Sequence, residues 1–263
     1  MGDIRFMKRP KVSIIMTVYN CEEFIEEALD SIFSQTFKDF ELIVYDDAST
    51  DNTFEILKAY SKGGILNRFI AIKELGEKKN IGCGAGRNEA IRYAQGKYLA
   101  IHDADDISFP ERLEKEVAFL EDHQDVFCVS SWAIKIDENG EELEIMDYPP
   151  PTHKEIRAEF LKVKNPIIDP ASMFRRRAFE KIGGYSAEWR LVPDFYLWGK
   201  AISYGYKFDN ILQPLVYYRK HDNSVTTIHQ DKTVGEHFTM CRKYWPQFFG
   251  IEVRQKSWVK SDC

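Results

Sequence analysis

The chain has 263 residues, 44% of them hydrophobic and 30% charged, with a formal net charge of -6. That length suits one large α/β domain or one domain with a small appendage. No apolar stretch approaches the roughly 20 residues a membrane-spanning helix needs, which excludes an integral helical membrane protein, and the acidic balance argues against a nucleic-acid partner.

Met1 to Lys11 carries charge but no following apolar region with a small-residue cleavage site, and Val12 to Val18 is too short to serve as one. No secretion signal is therefore expected. Gly2 is followed at position 6 by Phe6 and not Ser or Thr, so myristoylation is not expected either. Five cysteines, at 21, 83, 128, 241 and 263, include no Cys-x-x-Cys pair. That usage fits reduced thiols in a cytosolic protein better than a disulfide frame or a zinc site.

Val12 to Val18 is a β-branched apolar run and reads as a buried parallel strand. Asn20 with Glu23 three residues on has the form of a capping box, followed by Phe24, Ile25, Ala28, Leu29, Ile32 and Phe33 at helical spacing. Glu41 to Tyr45 is a second strand, and 46–52 is a polar turn before a helix marked by Phe54, Ile56, Leu57 and Tyr60. Phe69 to Ile72 is a third strand, 81–86 a flexible glycine loop, and Arg87 to Gln95 a helix that Gly96 can end in a left-handed conformation. A strand over 97–102 then runs into Asp103, Ala104, Asp105 and Asp106, and Pro110 sits at the first turn of a helix carrying Leu113, Val117 and Leu120. This alternation predicts a parallel sheet with helices on both faces.

The second half is mixed: strands at 126–130 and 143–146 around an Asn139-Gly140 turn, a break at Pro149 to Pro151, a helix near 153–163, a strand near 171–174, a helix near 194–204 and strands near 206–218.

Three carboxylates crowd into 103–106 at the end of an apolar strand, where like charges repel and burial worsens the repulsion. A hard divalent cation holding a phosphorylated substrate relieves both; a solvated turn that caps the next helix is the plain alternative. In open parallel sheets ligands bind beyond the carboxyl ends of the strands. Thr17 to Asn20, Asp46-Asp47 and Asp103 to Asp106 should thus meet in one crevice. Tyr19 could lie against a base, Asp47 could accept from a ring N–H or cap a helix, and Arg87 could meet phosphate or base oxygens or be a surface charge. The run Gly82-Cys83-Gly84-Ala85-Gly86-Arg87 lacks the third glycine of a dinucleotide fingerprint, and no P-loop is present.

Thr17-Val18-Tyr19-Asn20, Asp46 to Asp51, Asn80-Ile81-Gly82 with Arg87-Asn88, and Asp103-Ala104-Asp105-Asp106 together resemble, in order and spacing, the family-2 glycosyltransferases of the GT-A fold. The resemblance covers roughly residues 10 to 225. It implies an α/β, Rossmann-like, mostly parallel sheet flanked by helices, with a mixed acceptor-side second half. On that division 1–225 is the transferase domain (10–106 its nucleotide-binding half, 107–225 its acceptor-side half), and 226–263 a C-terminal helical extension.

The resemblance further implies that Thr17, Tyr19, Asn20 and Asp47 bind the nucleotide, usually through uracil. Arg87 would lie near the base or diphosphate and Asp103 beside ribose or sugar. Asp105 would hold Mg2+ or Mn2+, joined at the metal by Asp103 and His221, with Asp106 in support. The catalytic base of an E-D-x-x-L-W pattern falls on Asp194 in Pro193-Asp194-Phe195-Tyr196-Leu197-Trp198, where Pro193 replaces the first acid. A helix-capping Asp194 is the plain alternative, and Glu188 the fallback base. His221 lies in Tyr218-Arg219-Lys220-His221-Asp222-Asn223-Ser224 and could reach metal or diphosphate, or simply be a loop histidine. Asn165 to Pro170 resembles a family segment with His where Asp169 stands, and no role carries across that change.

The implied activity is inverting transfer of a sugar from a nucleoside diphosphate, with UDP expected, to a hydroxyl of a glycan or lipid-linked acceptor. This is the chemistry of cell-surface polysaccharide synthesis. A sugar-phosphate nucleotidyltransferase is disfavoured because Tyr19 to Glu23 is acidic where a basic triphosphate loop would stand; a non-catalytic carbohydrate-binding module would not need Asp103, Asp105 and Asp194 together. The aromatic and basic stretch 238–249 is expected either to rest peripherally on the inner face of a membrane or to pack on its own domain.

Overall fold

A computed structural model of the chain describes residues 9–62, 69–73, 80–222 and 224–251. The N-terminal segment considered for targeting, Lys79, Asn223, Cys263 and residues 252–263 of the extension lie outside the described residues. In chain order the first half runs β1 (Val12–Val18), α1 (Ile25–Phe33), β2 (Phe40–Asp46), α2 (Thr53–Lys62), β3 (Phe69–Lys73), α3 (Cys83–Ile91), β4 (Tyr98–Ile101), β5 (Ile107–Ser108) and α4 (Arg112–Asp122). The second half runs β6 (Val126–Ile136), β7 (Glu142–Met146), α5 (His153–Leu161), a 3-10 turn at Asp169–Ala171, β8 (Met173–Arg175), α6 (Arg176–Ile182), α7 (Pro193–Ser203), β9 (Lys207–Arg219), α8 (Val225–Ile228) and α9 (Gln230–Phe249).

One sheet orders these strands β3-β2-β1-β4-β8-β6-β9-β5, with β7 on β6. β3, β2, β1 and β4 are all parallel, as the alternation of strand and helix requires. The mixed half begins where β8 pairs antiparallel with β4 and β6, and β9 then runs parallel to β6 over most of its length. The α/β architecture with a mostly parallel first half is the one expected.

The apolar strands have no polar alternation because both their faces are covered. Ile15, Ile43, Leu99 and Ile101 point to one core, shared with Phe127, Phe174, Trp198 and Trp245. Ile14, Met16, Leu42, Val44 and Ala100 point to the other, against Ile25, Leu29 and Leu120. Residues two apart share a face, so a continuous apolar run serves two cores at once.

Several local expectations change. α1 begins at Ile25 with Phe24 as its N-cap and no side-chain capping bond, so Asn20 and Glu23 do not form the expected capping box. The glycine run is not a loop: Cys83 to Gly86 is the first turn of α3, which ends at Ile91. Gly96 is not left-handed. Its Cβ would stand 2.5 Å from the Ser13 backbone nitrogen, so its reason is close approach to β1. There Gly96 N–H donates to Ser13 Oγ, which donates in turn to the Glu41 carboxylate. Pro110 lies in the turn before α4, whose first residue is Arg112. The expected strands near 206–218 are one strand, β9.

The stretch 238–249 packs inward. Met240, Cys241 and Trp245 are fully buried, and Trp245 Nε1 donates to the Phe160 carbonyl at 3.2 Å. Tyr244, Phe248 and Phe249 lie against the same core, leaving the basic Arg242 and Lys243 outward. Its aromatic residues Trp245 and Tyr244 pack on Phe195 and Tyr196 of α7. Among the described residues no helix is long and apolar enough to cross a membrane.

Candidate active site

The C-terminal ends of β1, β2 and β4 do meet, and the turns that follow β1 and β2 are stitched to each other. Asn20, at φ 51°, receives the Thr50 N–H on its Oδ1 at 2.8 Å and donates its own N–H to Ser49 Oγ. Cys21 N–H donates to Thr53 Oγ1, and Glu22 and Asp51 exchange backbone-to-carboxylate bonds with the facing turn. Asn20 and Glu22 thus cap across two loops and not within α1, while Asp51 also caps its own helix by accepting the Thr53 N–H at 3.0 Å. Tyr19 stands at the mouth with its ring half exposed.

Asp47 is buried and accepts the backbone N–H of Ile81 at 2.7 Å and of Gly82 at 2.8 Å. It therefore fixes the chain as it turns into α3. Gly82 takes φ 93°, a conformation costly for residues with a Cβ. Gly84 packs on Pro193, and Gly86 packs on Thr17 and Tyr45. Thr17 Oγ1 points to Cys83 Sγ at 3.5 Å.

α3 brings Arg87 under the crevice. It is neither a surface charge nor open to a phosphate. Its guanidinium is buried, donating to Asp103 Oδ1 at 2.8 Å and to Asp169 Oδ2 at 2.5 Å, with the Tyr185 ring 5.6 Å away. Asp194, in the first turn of α7, joins the same electrostatic cluster and accepts from Asn165 Nδ2 at 3.0 Å. Burial raises the carboxyls of Asp103 and Asp194 above the usual range, against the Arg87 charge and, at Asp194, the Phe195 N–H. Burial pushes Asp169 up to about 7, also against Arg87. Asp169 had no role in the sequence reading. Its only signal was a departure from the family segment, and its partner lies 82 residues away.

Asp105 points elsewhere, to His221, whose Nε2 lies 2.9 Å from its Oδ2. Asp106 is fully buried, accepts the Arg219 N–H at 2.8 Å, and is held well above the carboxylate range by burial and then by Asp105 and Asp103. Its support for Asp105 is indirect, through the chain that carries His221. Arg219, which the sequence reading passed over within its motif, is the buried tie. Its guanidinium donates to the Asp105, Asp137 and Glu138 carbonyls and to Glu27 Oε2. A cavity of about 620 Å³ lined by Glu23, Phe24, Glu138, Asn139, His221 and Asp222 adjoins this pair.

Among the described residues no three of His, Cys, Asp and Glu stand as a preformed metal-binding group, so the expected set Asp103, Asp105 and His221 is not assembled as a cage. The donors nonetheless suit a hard cation. Magnesium keeps several waters and needs only one or two carboxylates beside substrate phosphates, and His221 Nδ1 is buried without a hydrogen-bond partner among the described residues. Glu188 is tied to Lys243 and to the Tyr244 hydroxyl of α9, so its carboxylate is not offered to the crevice.

A family model, glycosyl transferase family 2, matches residues 13–183. An uncharacterized glycosyltransferase of Methanocaldococcus jannaschii is 34% identical over 258 residues, 92% of this chain and 87% of that protein. The UDP-Gal:alpha-D-GlcNAc-diphosphoundecaprenol beta-1,3-galactosyltransferase of Escherichia coli is 29% identical over 210 residues, 79% of this chain and 73% of that protein. Among solved structures, S. aureus TarS in complex with UDP-GlcNAc aligns with a TM-score of 0.67 at 20% identity, over 94% of this chain and 77% of that one. The mannosyltransferase PcManGT of Pyrobaculum calidifontis, in complex with GDP-Man and Mn2+, aligns at 0.65 and 23% identity over 90% and 65%. At such identities the likeness of structure is one of fold.

Proposed function

The chain belongs to glycosyl transferase family 2, and on that premise we propose that it moves a sugar, with inversion, from a nucleoside diphosphate to a hydroxyl of a glycan or lipid-linked acceptor. The observation that carries this reading is the meeting of Asp103 at the end of β4 and Asp194 at the start of α7 around Arg87, beside the Asp105–His221 pair.

In this mechanism Asp194 takes the proton of the acceptor hydroxyl as general base. Its raised carboxyl favours that work near neutral pH. The acceptor oxygen attacks the anomeric carbon opposite the diphosphate, whose bond to that carbon breaks. One displacement needs one base, unlike the paired close carboxylates of retaining hydrolases. Thr17, Tyr19, Asn20 and Asp47 line the nucleotide side, Asp103 faces the sugar, and Arg87 aligns Asp103 and opposes the effect of burial on its carboxyl. Asp105, with Asp103 and His221, would hold Mg2+ or Mn2+, which supplies Lewis-acid stabilisation of the leaving diphosphate when bound.

A uridine donor and a lipid-linked acceptor are supported by what the Escherichia coli relative's name states of that protein. Contact with the inner face of a membrane would then draw on the outward-facing Arg242, since Lys243 is paired with Glu188.

Asp194→Asn keeps the side chain's size and an oxygen for Asn165. Transfer should fall by about 100- to 10,000-fold, while calorimetric affinity for UDP with Mg2+ or Mn2+ stays at the wild-type value. Near-normal turnover would refute the base. Absence of nucleotide binding, with or without metal, would favour a carbohydrate-binding module.

A further inference from the structure

We infer that Tyr148 is the platform on which an acceptor sugar stacks, so that the hydroxyl to be glycosylated belongs to a pyranose lying beside Asp194. The inference rests on the transferase reading and adds the acceptor's subsite and chemical class to it.

The strap that carries Tyr148 is rigid. Pro149, Pro150 and Pro151 follow it, and each ring locks φ. All three proline carbonyls accept hydrogen bonds: Pro149 from Trp132 Nε1 of β6 at 3.2 Å, Pro150 from Asn210 Nδ2 of β9 at 2.7 Å, and Pro151 from the Asn210 N–H at 3.0 Å. On both sides of Tyr148 the strap is also fastened to the loop that supports the base. Ahead of it, Met146 packs on the cluster that contains Ile168 and Ala171. Behind it, Asn210 Nδ2 is shared between the Pro150 carbonyl and the Pro166 carbonyl, the second at 3.3 Å. The residue before Pro166 is Asn165, which donates to Asp194. Tyr148 is thus carried along the 165–171 loop, beside the proposed base.

The fold leaves the ring open: Tyr148 is 58% exposed. Desolvation, and then the Asp194 charge, hold its phenol above the usual range, which sets the hydroxyl end toward Asp194. Other exposed tyrosines stand elsewhere. Tyr19 is on the nucleotide side, and Tyr204 caps the far end of α7, about 15 Å along the helix from Asp194. An aromatic face on a rigid strap loses little freedom when it is covered. A pyranose suits it, because one face of C–H groups covers the ring while the hydroxyls of its rim donate to a carboxylate. An alkyl chain would also cover the ring, but it offers Asp194 no proton to take.

The test is saturation-transfer NMR on the full chain with Mg2+ and UDP. The probes are the methyl glycosides of glucose, galactose, mannose and N-acetylglucosamine, with the octyl glycosides of the same sugars in parallel below their micellar concentrations. At least one methyl glycoside should take up saturation at its ring C–H protons. Tyr148→Ala should weaken that sugar by about tenfold, the worth of covering one ring face, while calorimetric UDP affinity stays at the wild-type value and reports an intact fold. Tyr148→Phe and Tyr148→Trp keep a ring and should keep the sugar, and Tyr204→Ala should change nothing. Tighter binding of the octyl series that Tyr148→Ala still weakens would support a lipid-linked sugar on the same platform; equal binding of the two series would support the sugar alone. Wild-type sugar affinity in Tyr148→Ala, or a loss in Tyr148→Phe as large as in Tyr148→Ala, overturns the platform. Binding of octyl glycosides alone, whatever the sugar, makes Tyr148 a lipid contact and overturns it as well. UDP binding with no glycoside bound overturns the inference and leaves the transferase reading intact, whereas failure to bind UDP or any glycoside overturns both.

Discussion

Adding one methyl group at Gly84 should damage catalysis more than stability. Gly84 sits in the first turn of α3, where a Cβ would stand 2.6 Å from Pro193 Cβ and 3.3 Å from Pro193 Cγ. The proline ring cannot swing aside, because its φ is locked. Relief to 3.4 Å, where ordinary contact begins, requires about 0.8 Å of separation between α3 and the start of α7. Overpacking of this kind costs about 1–3 kcal/mol, of which better helix propensity returns about 0.5–1.

Pro193 is the residue before Asp194, so the displacement passes directly to the proposed base. Misplacement of a reacting group by about 1 Å costs about 100-fold in rate. In Gly84→Ala, kcat at saturating donor should therefore fall by about 10- to 100-fold while calorimetric UDP affinity holds. Gly235→Ala is the control. Nothing lies within 4 Å of a Cβ there, so activity should be unchanged and stability should rise by about 0.5–1 kcal/mol. Full kcat in Gly84→Ala, or loss of UDP binding in step with kcat, would refute the view that this glycine exists to place Asp194.

Burial holds His102 neutral down to about 3. The unfolded chain takes up a proton below about 6.5 that the folded chain refuses, so stability present above that pH is lost as pH falls, by about 1.4 kcal/mol per unit from this group. Urea titrations should show a shallower acid limb in His102→Gln, and an unchanged slope would exclude the histidine as its source. Arg112 and Glu116 form a fully buried pair under the sheet, with the arginine also bonded to the Ile101 carbonyl. Arg112→Met alone should cost about 3–5 kcal/mol by stranding Glu116, and adding Glu116→Met should recover much of it; equal losses would show that the pair's charge is immaterial. Asp47→Asn replaces one of two acceptors by a donor facing an N–H, so melting should report a loss of about 1.5–3 kcal/mol together with weaker UDP binding, and wild-type values for both would remove Asp47 from the site.

The parallel half was legible because its signals are local. A β-branched apolar run such as Val12–Val18 followed by helical spacing from Phe24 to Phe33 leaves few alternatives, and Asp103 to Asp106 declare a strand end by their own charge. Asp194 was reached by its motif, and the structure places it in the electrostatic cluster around Arg87. Local reading went astray where a residue's partner is distant. Asn20 looked like a cap for its own helix but serves Thr50, 30 residues away. Gly96 looked like a helix stop but is small because β1 passes over it.

By itself, then, the sequence determined the layered α/β order and the set of acids that strand ends would carry, since periodicity and composition act between near neighbours. Only the tertiary structure decided how those acids divide. Asp103 turns to Arg87, which also holds Asp169, Asp105 turns to His221, and Asp106 to the backbone of β9. A buried charge must find a countercharge or donor wherever the fold supplies one, and the fold supplied them from 82 to 116 residues away for Arg87–Asp169, Asp106–Arg219 and Asp105–His221.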